Sequence, residues 1–271
     1  MSRSLWRLFR LPLALANGAS ALGGCLLFPG EVAWPVLAAA FGGVSLLAAA
    51  GSALNQVLER DLDCRMVRTR CRPLPLGQLT PARATTLGVV SGLAGLLVLG
   101  FAGGPLPALL GALALAWYLG VYTPLKRRSA LALLVGGVSG ALPPVIGCCL
   151  AGGSPTDYRA VLLAGLLYLW QVPHFWLLQQ QHADDYRRAG IPLWGDAGTP
   201  TILWRLWLAA LGVATLLLPA LGLVGGRFLW GGAIVVLLSG CLPRGRAAQA
   251  FGVCLNAFPL LVTVALAAGR S

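Results

Sequence analysis

Apolar runs long enough to cross a bilayer recur along the whole chain. Nine candidate spans are legible: Leu11–Phe28, Trp34–Leu54, Ala84–Phe101, Pro107–Val121, Leu131–Ala151, Ala160–Leu178, Leu206–Val224, Phe228–Leu242 and Ala248–Ala268. A hydrocarbon core about 30 Å thick takes roughly 17 to 25 apolar residues per helical pass. Inside it, every backbone N–H and C=O must be satisfied within the protein. The expected fold is therefore an all-α, polytopic membrane helical bundle of about nine transmembrane helices, forming one domain over residues 1–271. Only 10% of the residues are charged, against about a quarter in a soluble domain, and a soluble fold so composed could not cover its own surface.

The basic residues set the orientation, because Lys and Arg gather on the cytoplasmic side of short loops. Seventeen lie in the N-terminal segment and in the connections after the second, fourth, sixth and eighth spans, against Arg159, Arg227 and Arg270 on the other side. The N-terminus is expected in the cytoplasm. Met1 to Arg10 resembles the basic start of a signal peptide, but no small-x-small cleavage site follows, so an uncleaved first helix is expected. The net charge of +12 does not call for nucleic acid, since the basic residues sit between apolar segments and form no single soluble face. Five of the seven cysteines (Cys25, Cys148, Cys149, Cys241 and Cys254) lie in or beside apolar runs, where a thiol behaves as a small hydrophobe. Cys64 and Cys71 lack metal or redox spacing.

Acids contribute little to orientation, yet Glu59, Asp61, Asp63, Asp184, Asp185 and Asp196 all fall in two cytoplasmic connections. These two loops resemble each other, each mixing carboxylates with arginines after a long span. In the first, Asn55, Glu59 and Asp63 are spaced i, i+4, i+8 and share one helical face. Three hard oxygens without histidine or thiolate suit magnesium. The alternative is an ion-pair cluster with neighbouring arginines. The following stretch, Arg65 to Gly77, carries Arg68 and Arg72 in a loop stiffened by Pro73 and Pro75. It suits either a diphosphate or lipid headgroups. Lys126, Arg127 and Arg128 after Tyr122 either add phosphate donors or anchor a helix end. In the sixth span, Pro173 is expected to break the helix beside His174, Trp170, Gln171, Phe175 and Trp176, upstream of Asp184, Asp185 and Tyr186. His174 is either a hydrogen-bonded structural residue or a ligand. Gly136, Gly137 and Gly140 allow helices to approach closely.

Three stretches, Asn55–Gly77, Tyr122–Arg128 followed by Gly136–Gly147, and Trp170–Pro192, resemble the UbiA-type intramembrane prenyltransferases and, within them, the branch that farnesylates haem. The resemblance covers most of the chain. The pattern Met66-x-Arg68-Thr69-x-x-Arg72-Pro73, followed by Trp170-Gln171-x-Pro173-His174-Phe175 and Asp185-Tyr186, belongs to that branch. Gln56 and Glu59 stand where the superfamily often has Asp, while Ala132 and Cys148 stand near an expected Asn and Trp.

The resemblance implies transfer of a farnesyl group from farnesyl diphosphate to a vinyl group of haem B, in the inner membrane. It implies Mg2+ held by Asn55, Glu59 and Asp63, with Asp185 and Asp184 as a second acidic set. Arg68, Arg72, Lys126 and Arg127 would bind the diphosphate, and Phe175 and Tyr186 would face the allylic cation. Gln171 would bind substrate and His174 would orient the haem. Terminal oxidase assembly factors are candidate partners beside the lipid bilayer. Two rival readings stand: a prenyltransferase acting on an aromatic quinone precursor, and a non-catalytic haem- or lipid-binding assembly protein. The carrier gives no reason for three metal-type oxygens at helical spacing.

The charge distribution makes a direct topological prediction. A membrane-impermeant label attached at Asp157 or Ser271 reacts from outside the cytoplasm, and one between Arg65 and Gln78 only from inside; the reverse pattern inverts the orientation.

Overall fold

The computed structural model describes residues 2–193, 201–224 and 246–268, and it is all-helical there, with no strand among the described residues. A short helix, α1 (Ser2–Phe9), precedes α2 (Leu11–Leu27) and α3 (Trp34–Leu58). Then come α4 (Arg60–Arg65), α5 (Pro81–Gly103) and α6 (Pro105–Ala116), which continues through a π-helical turn, Trp117–Tyr122, into α7 (Thr123–Leu125). α8 (Ala132–Leu150), α9 (Tyr158–Gln181), α10 (Ala183–Ala189), α11 (Thr201–Ala220) and α12 (Arg246–Ala268) complete the order.

Five helical segments are long and apolar enough to cross a membrane: Trp34–Leu58, Pro81–Gly103, Pro105–Leu125, Ala132–Leu150 and Tyr158–Gln181. Leu11–Leu27 and parts of α11 and α12 are shorter apolar helices. The expected eighth span, Phe228–Leu242, lies outside the described residues. α2 packs against α3, α8 and α12; α3 packs on α5, α8 on α9, and α9 on α11. The two largest apolar cores among the described residues follow from this packing. One joins α2, α3, α5 and α8 around Ala21, Val44, Leu47, Leu99 and Ile146; the other joins α9, α11 and α12 around Leu163, Leu166, Leu211, Leu218 and Val262. On α5 and α6 large apolar side chains face outward, with Phe101 88% and Leu109 65% exposed. Such a surface requires lipid as its solvent.

Glycine sets the closest crossing. A Cβ on Gly147 would meet the Ala21 carbonyl oxygen at 1.9 Å, and one on Gly24 would meet the Pro144 carbonyl oxygen at the same distance. Backbone on both sides cannot yield, so α2 and α8 touch only because these positions lack side chains. Gly140 likewise leaves room for the Gln171 amide.

Pro173 does not break its helix: α9 runs unbroken from Tyr158 to Gln181. A proline at position i leaves the carbonyl of i−4 without its helical donor, and in lipid that orphan must be satisfied. The freed carbonyl of Leu169 accepts the indole N–H of Trp207 at 2.8 Å. The same solution recurs in α12, where Pro259 frees the Leu255 carbonyl and the indole of Trp170 donates to it at 2.6 Å. Two prolines are thus tolerated by two tryptophans from neighbouring helices, and the second bond fixes Trp170 at the edge of the interior cavity.

This pairing predicts a specific non-additivity. Trp207→Phe leaves the Leu169 carbonyl unsatisfied and costs about 1–3 kcal/mol, read as a lower midpoint in thermal denaturation in detergent. In a Pro173→Ala background the backbone N–H regained with the substitution restores the helical bond, and the same change costs much less. Equal losses in both backgrounds contradict the pairing.

Candidate active site

α3 delivers the first polar groups. It ends at Leu58, and Glu59 is its C-cap with φ −112° and ψ 17°. The helix is therefore not continuous through the acidic motif. The i→i−4 pattern nonetheless persists across the break, with Glu59 N–H donating to the Asn55 carbonyl and Asp63 N–H to the Glu59 carbonyl, each at 2.9 Å. Asn55, Glu59 and Asp63 stay on one line and are all buried, at 5%, 3% and 3% exposure.

Each of these groups has a partner. Asn55 donates from Nδ2 to Glu59 Oε2 at 2.9 Å and accepts from the Thr123 hydroxyl at 2.9 Å. Lys126 pairs with Glu59 Oε2. Arg72 Nη1 lies 2.9 and 2.7 Å from the two Asp63 oxygens. Among the buried side-chain atoms without a hydrogen-bond partner in the structure are three on residues that line the cavity, Glu59 Oε1, Arg68 Nε and Gln179 Oε1. By charge, the leftover carboxylate oxygen suits a cation and the leftover guanidinium nitrogen suits an anion.

Asn55, Glu59, Asp63, Arg68, Arg72 and Lys126 line one cavity of about 330 Å³ between the helices, within the size range of small-molecule sites. Of the residues expected from sequence, Asn55, Glu59, Asp63, Arg68, Arg72, Lys126, Gln171, His174, Phe175 and Tyr186 line it. His174 stacks on Trp170 with ring centroids 4.8 Å apart and meets Phe175 edge-on at 5.3 Å. Gln171 Nε2 donates to the Gly137 and Leu167 carbonyls at 3.1 and 3.2 Å, which holds α9 against α8 beside the cavity.

Three expected residues are not brought to the cavity wall. Arg127 forks onto Asp61 at 3.0 and 2.9 Å and donates to the Leu58 carbonyl, closing the outer end of α3. That hydrogen bond holds the Asp61 carboxyl below its ordinary value. Asp184 is exposed and pairs with Arg187 at 3.1 Å. Asp185 is buried but turned away, accepting from the backbone N–H groups of Val67 and Arg68 and pairing with Arg188 at 2.7 Å. The Arg68 amide, then that of Val67, and the Arg188 charge hold its carboxyl below the usual range. Among the described residues no three His, Cys, Asp or Glu side chains are grouped for a metal ion. A metal set here has to combine the two carboxylates Glu59 and Asp63 with the Asn55 amide oxygen.

Arg10 and Tyr118 also line the cavity, and neither stands out in the sequence. Arg10 is the only non-glycine residue at positive φ among those described, at 46°. This conformation is sparsely populated and strained for a side-chain-bearing residue. Burial, and then the nearby charges of Arg72 and Arg68, lower its pKa. One signal was available: Arg10 immediately precedes α2, and a cation at a helix N-terminus opposes the helix dipole. Its placement needs another cause. Tyr118 and Tyr122 come together through the π-turn, stacked at 5.6 Å with Lys126 over the Tyr122 ring. π-turns are frequent at functional sites, and nothing in the sequence announces this one.

Comparison with known proteins extends this description. The UbiA prenyltransferase family profile matches residues 18–267. The chain is 59% identical to "Protoheme IX farnesyltransferase" of Geobacter sulfurreducens over 98% of its own length and 99% of that protein. It is 43% identical to the protein of the same name from Oleidesulfovibrio alaskensis, over 81% and 78% of the two chains. Among solved structures it resembles the apo structure of a UbiA homologue from Aeropyrum pernix, with TM-score 0.76 at 20% identity over 96% and 99% of the chains. It also resembles a UbiA homologue from Archaeoglobus fulgidus bound to GPP and Mg2+, with TM-score 0.67 at 10% identity over 97% and 99%. The chain belongs to the UbiA prenyltransferase family.

Proposed function

We propose that this chain transfers a farnesyl group from farnesyl diphosphate to a vinyl group of haem B; its 59% identical relative is named "Protoheme IX farnesyltransferase". The observation that carries the reading is the division of one cavity: basic and acidic groups gather beside Arg68, Arg72, Lys126, Glu59 and Asp63, and Trp170, His174 and Phe175 line another part of the wall. A prenyl diphosphate has the same division between a charged head and an apolar chain.

Arg68, Arg72, Lys126 and Arg10 bind the diphosphate, with Arg72 and Lys126 exchanging their carboxylate partners for its oxygens. Asn55, Glu59 and Asp63 suit Mg2+ by donor type, and the unpartnered Glu59 Oε1 is consistent with a cation there; when bound, that ion neutralises charge on the departing diphosphate. The carbon–oxygen bond of the donor breaks, and the faces of Phe175, Tyr186, Tyr122 and Tyr118 stabilise the allylic cation. The apolar wall keeps water from it. The terminal vinyl carbon of haem joins the farnesyl cation, and water adds at the neighbouring carbon and loses a proton. His174, held against Trp170, orients the haem. The reading places the chain as one domain in the inner membrane, with nine spans, the N-terminus and diphosphate end cytoplasmic, and terminal oxidase assembly factors as neighbours.

Membranes carrying the protein, incubated with haem B, farnesyl diphosphate and Mg2+, should yield a haem heavier by one farnesyl and one hydroxyl group in mass spectrometry. Asp63→Ala should remain in the membrane and lose about a hundredfold or more in turnover, the scale of a lost charge-stabilising group. Unmodified haem from the wild type overturns the reading, and full activity in Asp63→Ala removes the metal role of Asp63 from it.

A further inference from the structure

Gln56 follows Asn55 directly in the acidic motif, but its side chain serves another part of the fold. It is 0% exposed and does not line the cavity. Its Nε2 donates to the Leu8 carbonyl at 2.7 Å and to the Arg7 carbonyl at 3.2 Å. Both carbonyls lie in the last turn of α1, where a helix offers them no partner of its own. An ionised aspartate at position 56 has no hydrogen to donate and could make neither bond. Two further bonds hold α1 over the arginine loop: Arg7 Nη1 donates to the Cys71 carbonyl at 3.0 Å, and the Ser4 hydroxyl donates to Gln78 Oε1 at 2.9 Å. Leu8, fully buried with Ala53, Leu74 and Ala84, closes the contact. The end of α1 is therefore fixed, and Arg10 is the turn that follows it.

We propose that Gln56 is a positioning residue: by capping α1 it fixes the left-handed turn at Arg10, and through that turn it presents the Arg10 guanidinium to the donor diphosphate. The turn itself points to the side chain. Arg10 has φ 46° and ψ 54°, a conformation that glycine adopts freely after a helix C-terminus and that other residues adopt at a cost. An arginine here also opposes the dipole of α2. Local preference thus disfavours Arg10 twice, and such strain persists only where the surrounding structure holds it. The bonds from Gln56 are part of that hold. What the turn delivers is a third guanidinium at a cavity already lined by Arg68 and Arg72, whose charges oppose that of Arg10. A diphosphate relieves this repulsion, because its oxygens accept from several guanidinium groups at once. A cation held in place before its anion arrives also loses less entropy on binding.

This inference rests on the proposed prenyl transfer for the identity of the anion, and its binding and exchange readouts need no turnover. Gln56→Met keeps the length of the side chain and removes its donors. In the purified full chain, amide exchange over Ser2–Phe9 should speed up in that variant. Calorimetric titration with a non-hydrolysable farnesyl diphosphate analogue should give a Kd raised by about ten- to a hundredfold in Arg10→Ala, the scale of a lost hydrogen bond to a charged group. Gln56→Met should raise it in the same direction, and the double variant should bind no more weakly than Arg10→Ala, because both changes remove one interaction. In turnover, Gln56→Met should raise the KM for farnesyl diphosphate with kcat near wild type. Arg10→Gly relieves the turn and removes the guanidinium; it should melt above Arg10→Ala and bind as weakly, and it carries the test if Gln56→Met does not fold. Additive losses in the double variant, unchanged exchange in Gln56→Met, or wild-type affinity in Arg10→Gly overturns the inference, as does a wild type that does not bind the analogue. A wild type that binds the analogue and makes no farnesylated haem counts against the acceptor reading, and the variant cycle still decides the role of Gln56.

Discussion

A charge buried at the end of a membrane bundle must be matched, because an unpaired ion in a low-dielectric interior is far more costly than a paired one. Glu59 and Asp63 meet this constraint with Lys126 and Arg72. Much of the surrounding architecture follows. Lys126 comes from the far end of the Pro105–Leu125 segment, so its pairing ties that segment to α3. Thr123 reinforces the tie through Asn55. Arg72 folds its loop back onto α4, and Asp185 holds the front of that loop from α10. The ion pairs are therefore both structural fasteners and a reserve of groups that a metal–diphosphate ligand can take over. Buried pairs of this kind contribute little net stability on their own, which makes exchange of partners energetically accessible.

The same rule applied to neutral groups explains the other half of the cavity. Pro173 and Pro259 each free one carbonyl, and the indoles of Trp207 and Trp170 fill the vacated positions. α9 stays continuous where sequence reasoning expected a break. Trp170 has one edge committed to α12 and one face stacked under His174. The imidazole is thus positioned through a carbonyl that a proline frees on another helix, 85 residues beyond the tryptophan that binds it.

Helix content, the five long apolar helices and the alignment of Asn55, Glu59 and Asp63 on one face were legible in the sequence, because bilayer thickness and helical periodicity act locally, whereas the joining of Arg68, Arg72 and Lys126 to them was implied only by the family resemblance. Direction within the second acidic loop was not. Asp184 and Asp185 read as a pair, yet adjacent helical residues point about 100° apart, and tertiary contacts sent one to solvent and the other to backbone amides. Arg127 likewise belongs to a basic run of three, but only Lys126 faces inward. Arg10 escaped because positive-inside counting already accounted for it. Its left-handed backbone is a tertiary outcome with no local signature. The π-turn that gathers Tyr118 and Tyr122 is of the same kind.

The central claim is that the paired charges form a ready site for a metal-bound diphosphate. Calorimetric titration of the purified protein with a non-hydrolysable farnesyl diphosphate analogue, with Mg2+ and then in excess chelator, tests it most directly. The account predicts binding at least about tenfold tighter with Mg2+, since the ion supplies the charge that frees Arg72 and Lys126 from their carboxylates. Equal affinity in the two conditions would contradict it.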